Sequence, residues 1–261
     1  MSWRDYWEIK MAKVTIDING VKNGLENIGY IVSDFEERDN NGKNWQFKFS
    51  NSGASVTVYD TNNKHNSVVN GKCETDEKEK LKVIIDKLKC KELEIDTLNK
   101  EIVTLINSKH EGAYYDFKKE WNKDKKEDLL HDILCLSNNV ERKDAYLIVG
   151  VQDDYNVVGV DDWKKSNEIY DFICNVKFAG DNRPDVELKQ IYYMYHKVDV
   201  LVCKKSDKCP FFLKEPYNNK VFPYIYTRTG DKNTPKNQNA NYADIMRLWK
   251  YNIELSMKGT N

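Results

Sequence analysis

The sequence predicts an α+β protein: a small antiparallel sheet domain over residues 1–75, a long connecting helix over 76–108, and a larger α/β domain over 109–255. Three observations lead there. Short alternating apolar runs, separated by Asn- and Gly-rich turns, fill the first block. A stretch without Pro or Gly, carrying Leu or Ile every seven residues, forms the second. In the third, amphipathic stretches of helical length alternate with short apolar runs.

In the first block, Lys13-Val14-Thr15-Ile16-Asp17-Ile18 alternates and predicts a strand. Residues 21–28 predict a short helix stopped by Gly29. Strands then follow over residues 30–37, 45–49 and 54–59, and a short one over 67–70. The turns between them lie at Asp39-Asn40-Asn41-Gly42 and Asn51-Ser52-Gly53. Side chains alternate across a strand, so Trp45, Phe47 and Phe49 share one face and Gln46 and Lys48 take the other. The result is a meander with one buried face.

In the second block, Leu81, Leu88, Ile95 and Ile102 recur every seven residues, and Ile84, Leu98 and Leu105 fall three after them; Lys91 interrupts the series. A continuous helix here would be about 50 Å long at 1.5 Å per residue. Packing against its own domains would bury the stripe. So would a coiled coil, which makes 76–108 the seam of a homodimer.

The third block opens with a strand over 114–121 and a helix over 126–136 that turns Leu129, Leu130, Ile133 and Leu134 inward. Residues 145–151 are a continuous apolar run, the mark of a central strand covered on both faces. Residues 156–160 pair with it across a turn at Asp153-Asp154-Tyr155. A helix over 162–178, a hairpin of 186–195 with 198–204, a late strand over 224–227 and a helix over 243–255 complete the chain.

Composition excludes several classes. Of 261 residues, 40% are hydrophobic and 32% charged, so the chain has the apolar content for a core and is not a disordered polyampholyte. No apolar run approaches the roughly 20 residues of a membrane span. The start, Met1-Ser2-Trp3-Arg4-Asp5-Tyr6-Trp7, lacks a signal peptide's apolar centre. A cytoplasmic protein with no membrane partner is expected. Net charge is −1, so any polyanion would be met by a local patch. No pair among Cys73, Cys90, Cys135, Cys174, Cys203 and Cys209 has C-x-x-C spacing, which argues against zinc. Cys135, Cys174 and Cys203 sit in apolar stretches and read as buried. The four histidines are scattered, and His110 is of interest because it precedes Glu111.

The residues with chemical potential are in Glu111-Gly112-Ala113-Tyr114-Tyr115-Asp116-Phe117-Lys118. On a strand Asp116 and Lys118 share a face. About 35 residues later the central strand ends in Gly150-Val151-Gln152-Asp153. Carboxylates at the ends of neighbouring strands meet, so Glu111, Asp116 and Asp153 form a candidate oxygen-ligand set for a hard cation, with Lys118 beside them as a fixed charge. A solvated Asp116–Lys118 pair fits the same spacing.

The run Glu111-x4-Asp116-Phe117-Lys118, then Leu136-Ser137-Asn138-Asn139, then residues 146–153 and Val157-Val158-Gly159-Val160, resembles the core of the Schlafen or AlbA-like domain. Val200-Leu201-Val202, Cys209-Pro210-Phe211 and Tyr226-Thr227-Arg228-Thr229-Gly230 resemble its closing strands and Arg-x-Gly loop. The likeness spans about 109–250. It implies a metal-dependent endoribonuclease acting on tRNA or other structured RNA, with Glu111, Asp116, Lys118 and Asp153 catalytic. The same three acids would hold Mg²⁺ or Mn²⁺. A non-catalytic DNA- or RNA-binding regulator with the same fold is the alternative. Two departures stand out: the second acid is Asp116 where the family has Glu, and Arg142-Lys143-Asp144-Ala145 replaces its Gly-Gly. Lys119 and Lys123, in a lysine run, are candidate backbone contacts. Arg228 either holds a phosphate or buttresses its loop through a carboxylate. Residues 1–75 resemble, more faintly, the TATA-binding-protein-like domain of some bacterial ribonucleases H, which would make Lys48 and Thr57 candidate contacts.

Overall fold

The computed structural model describes residues 16–39, 43–60, 66–121, 125–161 and 166–258. The chain divides into two compact units, Met1–Asn107 with Tyr192–Tyr195, and Ser108–Ile191 with His196–Asn261. The α+β class holds, with a small antiparallel sheet in the first unit and a mixed α/β layer in the second.

The first unit begins with helix α1 (Ile18–Asn27). The Asp17 carboxylate caps it by accepting from the Gly20 amide at 2.8 Å. The strand expected over 13–18 is therefore corrected at its end, where Ile18 opens a helix; Lys13 to Thr15 lies outside the described residues. Strands β1 (Val32–Asp39), β2 (Lys43–Phe49), β3 (Ala54–Tyr59) and β4 (Val68–Gly71) form an antiparallel meander in that order. As alternation predicts, Trp45, Phe47 and Phe49 are buried, together with Val56 and Val58. They share one core with Val21 and Leu25 of α1. Lys48, on the open face, pairs with Asp34 at 2.7 Å, and Thr57 is half-buried.

The long helix is two helices, α2 (Thr75–Lys89) and α3 (Thr97–Asn107). The break falls where the heptad series fails. Lys91 takes a left-handed conformation, φ 57°. Its amide donates to the Leu88 carbonyl at 3.1 Å, and the Glu92 amide donates to that of Lys87 at 2.8 Å. This pair of bonds is a Schellman motif, which satisfies terminal carbonyls and ends a helix. The Asp96 side chain starts the next helix by accepting from the Asn99 amide at 2.9 Å. Leu81 and Ile84 of α2 and Ile102 and Leu105 of α3 are buried within this unit. The expected coiled-coil seam over 76–108 is thus corrected. A broken helix carries no continuous heptad stripe, and much of that stripe is already spent on the unit's own packing.

The second unit contains β5 (Tyr115–Lys118), α4 (Lys126–Ser137), β6 (Ala145–Val149), α5 (Ser166–Asn175), β7 (Val186–Tyr193, whose last two residues belong to the first unit) and β8 (His196–Cys203). A short ribbon, β9 (Arg228–Thr229) with β10 (Lys232–Asn233), and helix α6 (Tyr242–Lys258) follow. The sheet order is β5-β6-β8-β7, with β5 parallel and β8 antiparallel to β6. Every residue of β6 is buried, as its unbroken apolar sequence requires. The strand expected over 224–227 moves to β9. Tyr226 and Thr227 give their backbone to side chains instead: the Tyr226 carbonyl accepts from Asn138 at 2.9 Å, and the Thr227 amide donates to Thr234 Oγ1 at 3.1 Å. Cys174 is exposed rather than buried, and its sulfur accepts from Arg183 at 3.1 Å.

Asn138, at the end of α4, is fully buried. Its amide donates to the carbonyls of Phe211 and Tyr226, at 2.8 and 2.9 Å, and its oxygen accepts from the Phe211 amide at 2.7 Å. Asn138→Ala leaves three buried backbone groups without these partners and is expected to cost about 2 kcal/mol. Urea titration checks this, and a loss below about 0.5 kcal/mol would contradict it.

After β6 the chain turns on two glycines. Gly150 has φ +113°, and a Cβ there would lie 3.0 Å from the Gly159 backbone. The amides of Val158 and Gly159 both donate to the Gly150 carbonyl at 2.9 Å. Only glycine permits that approach at that φ. Between them Val151 is buried, its amide donating to the Lys118 carbonyl at 3.1 Å, while Asp153, Asp154 and Asn156 are exposed.

Candidate functional site

β5 brings Asp116 and Lys118 to one face of the second sheet, as alternation predicts. Lys118 Nζ donates to Asp116 Oδ2 at 2.5 Å. Glu111 enters from the segment before β5, and Arg228 from the β9–β10 ribbon. One Arg228 nitrogen, Nη2, lies 2.6 Å from Glu111 Oε2 and 3.1 Å from Asp116 Oδ1. The guanidinium also donates through Nε to the Gly112 carbonyl at 2.7 Å and through Nη1 to Asn233 Oδ1 at 2.9 Å. Arg228 and Asn233 face each other across the ribbon. Asn233 in turn donates to Asp132 Oδ1 of α4 at 2.8 Å. Glu111, Arg228, Asn233 and Asp132 thus form a hydrogen-bonded chain, and Asp116 links it to Lys118.

Burial sets the charge state of this group. Asp132 is buried, which pushes its carboxyl up to about 6; Lys118 and Arg228 only partly offset that, and Asp116 adds repulsion. Glu111 is raised by burial and by the nearby Asp116 carboxylate, against the pull of Arg228. Burial works against the Lys118 ammonium, but the Asp132, Asp116 and Glu111 carboxylates outweigh it and hold its pKa above the ordinary value. Next to Asp132, burial pushes His131 down to about 4, and its Nε2 lies 2.8 Å from the Thr234 carbonyl. The site sets three carboxylates, Glu111, Asp116 and Asp132, against two cations, Lys118 and Arg228. Lys118 reaches solvent most: its side chain is 43% exposed, against 28% for Glu111 and 2% for Arg228.

The expected site residues fare unequally. Glu111, Asp116 and Lys118 come together. Asp153 is exposed in the loop between Gly150 and Gly159, and among the described residues no hydrogen bond or ion pair ties it to Glu111 or Asp116. Arg228 is the buttress, since its burial and four carboxylate and amide partners leave nothing facing a phosphate. Lys119 is exposed. Lys123 lies outside the described residues. Asp132 and Asn233 are site residues the sequence reading missed. The sequence signal was a charged residue inside the apolar run of α4, where Leu130, Ile133 and Leu134 are all fully buried.

The cation expected on Glu111, Asp116 and Asp153 does not fit this arrangement. Glu111 and Asp116 already hold Arg228, Asp116 also holds Lys118, and Asp153 shares no hydrogen bond with either acid among the described residues. Among the described residues no group of three or more His, Cys, Asp or Glu side chains is placed to hold a metal ion.

Two cavities open beside this site. One, of about 230 Å³, is lined by Lys118, Lys119, Lys125, Asp132 and Trp121. The other, of about 320 Å³, is lined by Lys119, Glu120, Trp121 and residues 158–161.

Residues 111–237 match the family model described as Schlafen, AlbA_2. Among solved structures, the DIP2311 protein from Corynebacterium diphtheriae aligns at 17% identity with a TM-score of 0.36. That alignment covers 57% of this chain and 27% of the other. Comparison with curated proteins gives no match. Among the described residues, no helix is long and apolar enough to cross a membrane.

Proposed function

We propose, from the match of residues 111–237 to the Schlafen, AlbA_2 family model, that the chain is a nucleic-acid-binding protein whose Glu111–Asp116–Lys118–Arg228–Asp132 group organises the binding edge. The observation that carries this reading is the setting of Lys118. It is held charged by three carboxylates, its side chain is 43% exposed, and it lines one cavity with Lys119 and Lys125. A fixed ammonium among lysines suits a phosphate backbone, where affinity comes from displaced counterions. Arg228 acts through Asp116 and Glu111, and so positions Lys118 rather than meeting the ligand.

Fluorescence anisotropy with labelled RNA and DNA over a salt series tests this. Lys118→Gln with Lys119→Gln is expected to weaken binding to every sequence and to reduce the slope of log affinity against log salt by about 1 to 2. Wild-type protein that binds neither polymer at 50 mM salt would end the reading.

A second reading, the metal-dependent endoribonuclease acting on tRNA, is favoured by the convergence of Glu111 and Asp116 on one guanidinium nitrogen. It requires Arg228 to leave both acids and Asp153 to approach them. Incubating tRNA with the protein and Mn²⁺ or Mg²⁺ separates the two: cleavage abolished by both EDTA and Asp153→Asn favours the nuclease. Intact tRNA bound equally well with and without EDTA favours the binding protein.

A further inference from the structure

Trp121 stands three residues beyond Lys118 and walls both cavities beside the site. Its indole is fixed, because Nε1–H donates to the buried Asp199 carboxylate at 2.6 Å. A ring so held has little side-chain freedom left to lose when a ligand arrives. The larger cavity, at about 320 Å³, falls at the low end of the roughly 300–1,000 Å³ typical of small-ligand sites. That is room for one flat ring system and not for a duplex. Val158, which is 43% exposed, faces the same space. Glu120 and Asp161 add carboxylates to its wall, and Lys119 lines both cavities.

We propose that Trp121 is a stacking platform for one unpaired nucleobase of a single-stranded nucleic acid, with the adjoining phosphates on Lys119, Lys118 and Lys125. The inference rests on the nucleic-acid-binding reading above and adds the strand state of the ligand. Each part of the site answers a part of a nucleotide. The indole offers a π-face to any base, which makes stacking tolerant of sequence. The lysines offer charge to the backbone. The Glu120 and Asp161 carboxylates accept hydrogen bonds from exocyclic amino groups, which favours a base that carries one. A paired base is stacked within its own helix and cannot enter, so duplexes are excluded from this subsite.

The test uses the whole chain and fluorescein-labelled single-stranded 12-mers of RNA and of DNA, with each nucleotide replaced in turn by an abasic one. In wild type, loss of the stacked base is expected to weaken binding by about 5- to 150-fold. Trp121→Ala is expected to weaken the intact oligomer by a similar factor and to make the abasic replacement silent, because the two changes remove one interaction. Trp121→Phe keeps a ring face and is expected to retain most of the affinity. The abasic scan on wild type needs no altered protein, so a poorly folded Trp121→Ala does not blunt it. A stronger effect with RNA or with DNA identifies which polymer the subsite serves. Wild type that binds the 12-mers but ignores every abasic replacement overturns the stacking proposal alone. So does an equal response to abasic sites in wild type and Trp121→Ala, or tighter binding of a matched duplex. Wild type that binds no oligomer at all overturns the nucleic-acid reading and this proposal with it.

Discussion

Arg228→Met is expected to destabilise the second unit by about 3–5 kcal/mol, the cost of leaving a buried charge without its partner. The guanidinium is 2% exposed and stands between the Glu111 and Asp116 carboxylates. Methionine fills much of the volume but returns none of the charge, so two acids are left facing each other around an apolar chain. The bonds to the Gly112 carbonyl and to Asn233 are lost as well. For a unit of this size the melting temperature should fall by about 10 °C or more. Acid should narrow the deficit. Glu111 is already raised, and without the pull of Arg228 it rises further; a raised carboxyl favours the folded state below that value and opposes it above. Urea titration at pH 8 and pH 5 checks both parts. A loss under about 1 kcal/mol at pH 8, or a deficit that grows on acidification, would remove Arg228 from the centre of the network.

The second large effect is hidden in the wild type. His131 and Asp132 are adjacent, and both are buried. His131 has its pKa lowered to about 4 in the folded chain, from an ordinary value near 6.5. Between those values the unfolded chain takes up a proton that the folded chain refuses, so stability falls as pH drops through that window. Asp132 has its pKa raised to about 6, from an ordinary value of 3.8. Between pH 6 and 4 the folded chain keeps a proton that the unfolded chain releases, so stability rises as pH drops. Each contribution is about 3 kcal/mol at roughly 1.4 kcal/mol per pH unit. The two oppose each other over nearly the same range. Asp132→Asn should therefore lose about 3 kcal/mol relative to wild type between pH 6.5 and pH 4. His131→Gln, which keeps a donor for the Thr234 carbonyl, should gain a similar amount over that range. Stability measured against pH for the three proteins decides it; two variants that track the wild-type profile would refute the compensation.

How far the sequence foretold this molecule depended on whether the deciding signal was local. The β2 and β3 alternation that buried Trp45, Phe47, Val56 and Val58 was readable because period two needs only neighbours. The unbroken apolar run of β6 was readable for the same reason. Asp116 and Lys118 shared a face by spacing alone. The break between α2 and α3 had a local cause too, but Lys91 is no glycine, and a left-handed lysine is not marked in composition. Its one trace was the lysine at an inward heptad position. What the sequence left open or missed at the site was long-range. Arg228 meets Glu111 across more than a hundred residues, and nothing near either one announces the pairing. Asp132 sits among leucines on α4, and nothing in its neighbours names the distant Asn233 as its partner. Asp153 follows the central strand as expected, in an exposed loop whose partners the local sequence does not name.

The composition of the first unit has a consequence for the order in which the protein matures. Asn99 is buried, and its amide oxygen and nitrogen bond the Tyr192 amide and carbonyl, both at 2.9 Å. The Met194 amide donates to the Ile28 carbonyl, and the Tyr193 hydroxyl to Asn107, in the same unit. During synthesis, residues 1–107 leave the ribosome well before residues 192–195 exist. For that interval α3 must keep Asn99 bonded to water, and the apolar surface beneath it stays partly open. The last closure waits on a loop of nearly a hundred residues, a step whose entropy depends only weakly on length but whose contacts are among the slowest kind to form. Translation speed across residues 108–191 therefore sets how long the N-terminal unit remains a half-closed intermediate exposed to proteases and to other nascent chains.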